Sequence, residues 1–355
     1  MEEDGTPGAV VLVRSPTHGD WTSAFGTRTV GADKPVTTDD VFGLGDISQA
    51  VTATAILALQ RQGKLSLSDP IAKYVAGVPH GDSITLEDLG RYDSGLFDYQ
   101  QDEQFQKAVA ADPGRVWTPQ ELLAFSFRHP IDTKTVTGAR IGYSRTDYVL
   151  LGMVLAKVTG RSAADALRAL VFDPLGLRSM GLSDGGALPG PHADGHLYAA
   201  TAVGNQILPE AQRDAVADHK LAPRDISTTN TSWASTAGGV YGTAADTADL
   251  LHAMVTAGPV LDQASVDART AGLEGIGFPD QQGVVYGFGL AKYGQYWLYS
   301  GANAGYNSVA AYDPTTGTTI VLLVNLMSED DGDAPVQALF SAITDAVGPV
   351  VVPAE

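Results

Sequence analysis

The chain has no cysteine, so it carries no disulfide framework and no thiolate metal site. It is also short of positive charge. Against 41 Asp and Glu stand only 22 Lys and Arg, a net charge of −19 that argues against nucleic acid or an anionic membrane surface as a partner. No uninterrupted apolar run is long enough to span a bilayer. The opening Met1-Glu2-Glu3-Asp4-Gly5 is acidic where a secretory leader would be basic and then apolar. With Met1 as the native start, the expectation is a cytoplasmic protein. Internal repeats and low-complexity tracts are missing too. What is present is a globular composition, 44% hydrophobic over 355 residues, enough for one or two domains.

The stretch Val41–Gln60 organises the rest. A glycine turn, Gly43-Leu44-Gly45, leads into a run of Ala, Val, Ile and Leu that reads as a buried helix. Asp46 is an N-cap residue type and Gln49 follows three positions later, the spacing of a capping box. Ahead of it, Ala9–Arg14 and Asp20–Phe25 read as two strands joined by the polar turn Ser15–Gly19. From about Ile84 to Val171 the pattern is mainly helical, with Pro119–Phe127 and Tyr148–Val158 the clearer amphipathic pieces and loops at Ser94–Gln101 and Pro130–Gly142. A loop-rich middle runs from Pro189 to about Ser232, and Ala244–Ala257 is a further helix candidate. Four strands are then expected, Tyr286–Lys292, Gln295–Ser300, Ser308–Tyr312 and Thr318–Asn325, with a turn at Asp313–Gly317. Val336, Leu339, Phe340, Ile343 and Val347 mark one face of a closing helix.

Strands at both ends around a helical middle give an α/β (α+β) architecture, in which one antiparallel sheet is built from both termini and flanked by helices. The expected organisation is a single domain over 1–355. Its subdomains are 1–65 plus 235–355, which hold the sheet, and 66–234, a mainly helical insert.

The landmarks in this order resemble the serine β-lactamase and penicillin-binding protein family, above all its DD-peptidase and class C β-lactamase-like esterase branch. They are Val41–Gly45, Gln62–Pro70, Ser94-Gly95-Leu96-Phe97-Asp98-Tyr99, Tyr143-Ser144 with Tyr148–Gly152, Phe172–Leu177, His192–Gly195, Ala237–Gly239 and Gly301 to Tyr306. The resemblance covers nearly the whole chain and implies the β-lactamase/transpeptidase-like fold. In that family a Ser-x-x-Lys pair at the head of the buried helix supplies the nucleophile and its base. The four residues here are Asp46-Ile47-Ser48-Gln49. The family's Tyr-x-Asn reads Tyr143-Ser144-Arg145, its His- or Lys-Thr-Gly reads Tyr299-Ser300-Gly301, and its Ser-His-x-Ser-Gly-Leu reads Arg91-Tyr92-Asp93-Ser94-Gly95-Leu96.

The departures fall where the family does its chemistry. Asp46 with Gln49 satisfies a capping box without any catalysis. By the resemblance, the same position also faces the cleft, where a carboxylate can serve as acid or base. Tyr143 is the one catalytic-type side chain kept in register. Arg145 suits an anionic substrate or a salt bridge to Asp46. The expected catalytic set is therefore Asp46, Tyr143, Arg145 and Tyr299. Gln49, Tyr92, Asp93, Trp233, Ser300 and Tyr306 are expected to bind substrate, the aromatics forming a wall suited to a largely apolar small molecule. Ser48 has no lysine or histidine at a useful spacing and reads as packed or capping. His192 and His196 have metal-like spacing around Asp194, but zinc needs third and fourth ligands that the sequence does not offer, so no metal and no cofactor are expected.

Function is expected to be that of a repurposed enzyme without the serine nucleophile. It would use non-covalent acid–base chemistry (cyclisation, isomerisation, elimination or direct hydrolysis) in specialised-metabolite biosynthesis. Two alternatives stand beside it: a ligand-binding pseudoenzyme of the same fold, and a residual serine hydrolase or esterase.

Overall fold

The computed structural model describes residues 5–132, 142–204, 206–275, 283–348 and 350. Its centre is a seven-stranded antiparallel sheet. Two of its strands come from the N-terminal end of the chain and five from the C-terminal part.

The strands are β1 (Gly8–Arg14), β2 (Trp21–Gly26), the short β3 (Phe42–Gly43), β4 (Gly181–Leu182), β5 (His196–Leu197), β6 (Arg224–Asp225) and β7 (Val240–Gly242), then β8 (Val284–Tyr286), β9 (Ala291–Tyr293), β10 (Tyr296–Asn303), β11 (Tyr306–Asp313) and β12 (Thr318–Val324). The main sheet runs β2-β1-β12-β11-β10-β9-β8, while β3-β7-β4 and β5-β6 form two small sheets. β1 meets β12 from Ala9↔Val324 to Arg14↔Thr319, which joins the termini. Every residue of β11 and β12 is buried. Central strands covered on both faces read as continuous aliphatic runs, and Thr-Thr-Ile-Val-Leu-Leu-Val of β12 is one. The turns expected at Ser15–Gly19 and Asp313–Gly317 are closed by Gly19 N donating to Ser15 O and Gly317 N to Asp313 O, each at 2.8 Å.

Five helices matter for the site. α1 is Ile47–Arg61, α2 Leu86–Gly90, α3 Arg145–Thr159, α4 Ala244–Val255 and α5 Pro335–Val347. Every residue of α1 from Ile47 to Leu59 is buried, as expected of a helix apolar on all sides. It runs beside α3, and α4 and α5 both pack on β11 and β12. The Arg269 guanidinium, fully buried, anchors α1 by donating to Ala50 O at 3.2 Å and Thr54 Oγ1 at 2.8 Å, and it also reaches Met254 O and Phe288 O. Burial without a carboxylate lowers its pKa to about 10.

One expected strand is broken. Tyr286–Lys292 is not continuous but divides into β8 and β9, with Gly287 N donating to Leu290 O across the turn. Gly289 takes a φ of +60° and Phe288 turns inward to full burial, which an extended strand could not do. Most of the loop expected at Pro130–Gly142 lies outside the described residues.

Candidate functional site

The site forms where the start of α1 touches β10. Gly45 has a φ of +53°, and a Cβ on Gly301 would stand 2.5 Å from both Asp46 N and Leu44 O. Backbone meets backbone here only because both residues are glycine. β9 pairs with β10 only along Tyr296–Leu298. Beyond Leu298, no strand among the described residues covers that edge of β10, which leaves it open beside Asp46.

The capping box expected of Asp46 and Gln49 is not formed. Asp46 already has helical dihedrals, φ −66° and ψ −9°, and its side chain caps nothing. The first N–H groups are served by backbone instead: Ile47 N by Leu44 O, Ser48 N by Gly45 O and Gln49 N by Asp46 O. That releases both side chains for other partners.

The Asp46 carboxylate takes a two-pronged bond from Arg145. Nε lies 3.2 Å from Oδ1 and Nη2 2.9 Å from Oδ2. The third prong, Nη1, donates to Asp98 Oδ2 at 3.1 Å. Burial works against the charge on Arg145, but Asp46, Tyr143 and Asp98 outweigh it and the guanidinium pKa rises. Burial also pushes the Asp98 carboxyl up, with Arg145 opposing.

Gln49 lies at the centre of three phenols. Its Nε2 donates to Tyr143 Oη at 2.7 Å, and its Oε1 accepts from Tyr299 at 3.0 Å and from Tyr92. Tyr92 and Tyr299 also hydrogen-bond each other. The Tyr92 ring packs 4.9 Å from that of Tyr143, and the Arg145 guanidinium lies 5.0 Å from the Tyr143 ring centre. Burial raises the pKa of all three phenols, which remain protonated across the physiological range. Tyr92 adopts a φ of +61°, strained for a residue with a Cβ, and such strain gathers at functional sites.

A cavity of about 360 Å³ opens from this corner. Asp46, Ser300 and Gly301 border one end, and Tyr286, Leu298 and Phe340 are among the residues that make its walls. Asp46 is the one charged side chain in its described lining. Thus Asp46, Gln49, Tyr92, Tyr143, Arg145 and Tyr299 come together, and Ser300 is exposed beside them.

Three expected residues lie elsewhere. Trp233 is fully buried, and its carbonyl accepts from Tyr99 Oη at 2.6 Å. Tyr306 packs edge-on to Phe42 and donates to Ala193 O at 2.8 Å. Both are core side chains with no face on this cavity, so the aromatic wall is supplied instead by Tyr286, Tyr293 and Phe340. Asp93 is half-buried beside Asp88 and Glu274 and outside the tyrosine cluster. Burial, then those two charges, push its carboxyl up to about 6. Sequence reasoning missed Asp98 and the wall from α5. The signals were an acid inside the quoted Ser94–Tyr99 landmark and the apolar face already assigned to α5.

Ser48 is buried, donating to Gly45 O at 2.6 Å and accepting from Val240 N at 2.8 Å. The two histidines do not converge: His196 faces Val30 N and Asn325 O, and His192 lies 3.4 Å from Asp194.

A family model described as Beta-lactamase matches residues 1–342. A D-stereospecific amidohydrolase from Streptomyces sp. has a similar structure, 28% identical, with a TM-score of 0.78, over 96% of this chain and 94% of that one. The D-amino acid amidase of Ochrobactrum anthropi SV3 is 25% identical, also with a TM-score of 0.78, over 97% of this chain and 98% of its own. Penicillin-binding protein 4* of Bacillus subtilis (strain 168) is 26% identical over 154 residues, 43% of this chain and 33% of its own length. The chain therefore spans about a third of that curated relative.

These similarities correct the expected function. The two structural relatives are hydrolases by name over nearly the whole chain. They overturn the expectation of a repurposed, non-hydrolytic enzyme of specialised metabolism and favour the alternative of a residual serine hydrolase or esterase. No helix among the described residues is long and apolar enough to cross a membrane.

Proposed function

The chain belongs to the beta-lactamase family, and we propose that the protein is a hydrolase of small amides or esters, with its reacting end at Asp46. The observation that carries this reading is the meeting of Asp46, the exposed Ser300 and the open edge of β10 at the mouth of one cavity. A substrate amide can pair with that edge as an added strand would, which fixes its orientation through backbone hydrogen bonds. Its acyl group then lies beside Asp46, and an apolar side chain fits against Leu298, Val309 and Phe340.

In the reaction, the water oxygen becomes bonded to the acyl carbon. The acyl C–N or C–O bond breaks, and the proton goes to the leaving amine or alcohol. The names of the two amidohydrolases make D-amino acid amides the first substrates to try. The test is release of acid from D- and L-phenylalanine amide and from the matching esters, followed by mass spectrometry. Turnover above that of the Asp46→Ala protein supports the reading, and no release from any of these acyl compounds overturns it.

A further inference from the structure

We infer that Ser300 is the nucleophile of this site and carries the acyl group between the two halves of the reaction. The inference deepens the hydrolase reading and rests on it.

With an aspartate at position 46, a hydroxyl for a covalent route has to come from another residue. Ser48, Ser94, Ser144 and Ser308 are all buried, and none of them lines the cavity. Three of the four are also committed. Ser48 donates to Gly45 O at 2.6 Å, Ser94 to Asp147 Oδ1 at 2.6 Å and Ser308 to Leu44 O at 2.9 Å.

Ser300 differs in each respect. It is exposed, it lines the cavity, and no hydrogen bond among the described residues engages its hydroxyl. The strand explains this placement. Paired residues of antiparallel strands point to the same face, and Ser300 opposes Val309 as Leu298 opposes Ala311. Leu298, Ser300 and Val309 therefore share the face that lines the cavity. Tyr299 alternates to the other side, where it donates to Gln49 Oε1 at 3.0 Å. Gly301, next along β10, packs against Gly45 and Asp46, which brings Ser300 and Asp46 to one end of the cavity. Ser341 is in the lining too, but it stands on α5, which packs on β11 and β12, whereas the start of α1 meets β10 at Gly301.

A substrate laid along the open β10 edge, with its side chain against Leu298 and Val309, brings its acyl group to the end that Ser300 and Asp46 share. In the first half of the reaction Ser300 Oγ bonds to the acyl carbon and the acyl C–N or C–O bond breaks. The serine proton passes through the Asp46 carboxylate to the leaving amine or alcohol. In the second half water bonds to the acyl carbon, the ester to Ser300 breaks, and a water proton returns to Oγ through the same carboxylate. Arg145 takes one lone pair from each Asp46 oxygen, and each oxygen keeps another that can accept the proton. The net reaction is still the addition of water across the acyl bond.

The test uses the whole chain and two reagents. Diisopropyl fluorophosphate should add one phosphoryl group, located on Ser300 by peptide mass spectrometry, and Ser300→Ala should take none. Acid-quenched mixtures with D-phenylalanine methyl ester should carry the phenylalanyl group on the same peptide. Because the hydroxyl bonds to nothing in the described fold, Ser300→Ala should melt with the wild type, while its kcat falls on the order of a thousandfold or more. Wild-type kcat in Ser300→Ala, or no adduct on Ser300 from either reagent, overturns the inference and leaves water as the attacking group. If the wild type cleaves no amide or ester, the hydrolase reading fails. The phosphorylating reagent needs no turnover, so its adduct on Ser300, or the lack of one, still decides the nucleophile.

Discussion

Arg145 holds Asp46 with two of its donors and Asp98 with the third, so one partly buried cation sits between two carboxylates at the head of α1. The arrangement has a stability consequence. Arg145→Met keeps the volume but leaves both acids without their cation, and should cost on the order of 3–5 kcal/mol in urea unfolding. Adding Asp98→Asn should recover part of that loss, because one uncompensated charge goes with it. If Arg145→Met is as stable as the wild type, the ion triad does not hold this corner together.

Ser48 should prove structural. Its hydroxyl joins Gly45 O to Val240 N in the core, so Ser48→Ala should lose about 1–2 kcal/mol and leave hydrolysis unchanged. Intact-protein mass spectrometry after treatment with a fluorophosphonate should show no adduct at Ser48. A folded Ser48→Ala protein without activity would contradict this and make Ser48 the nucleophile.

Asp93 gives the fold a pH dependence. Its carboxyl is raised from an ordinary 3.8 to about 6, by burial first and then by Asp88 and Glu274. The folded state therefore binds this proton more tightly than the unfolded chain does. The stability it contributes is present below about 3.8 and is lost as the pH rises through about 6. Asp93→Asn should melt higher than the wild type at pH 7, and the gap should close below pH 4. A gap that is constant across this range would remove Asp93 as the cause.

Much of the fold was legible because it rests on periodicity and turn chemistry. The all-apolar run of α1, the aliphatic β12 and the glycine-closed turns each announce themselves locally. The split of Tyr286–Lys292 did not, because it depends on Phe288 finding a buried place against Gly90. The site was half legible. The resemblance put Asp46, Tyr143, Arg145 and Tyr299 in one place, and they are together. The same local reading gave Asp46 and Gln49 to each other as a cap. Their real partners, Arg145 and three tyrosines, come from positions 43 to 250 residues away, beyond the reach of any spacing rule. Trp233 and Tyr306 misled for the opposite reason: a landmark near a cleft in sequence order is still free to point its side chain into the core.

The central claim is that this corner hydrolyses acyl substrates with Asp46 at its reacting end. The most direct test is turnover of a D-amino acid amide in oxygen-18 water, read by mass spectrometry of the acid, with Asp46→Asn alongside. Asparagine preserves the shape, and Arg145 keeps Asp98, so the variant should fold. The account predicts one heavy oxygen in the acid released by the wild type, and a rate at least a hundredfold lower, in order of magnitude, for the variant. No acid above the buffer blank, or equal rates for the two proteins, would contradict it.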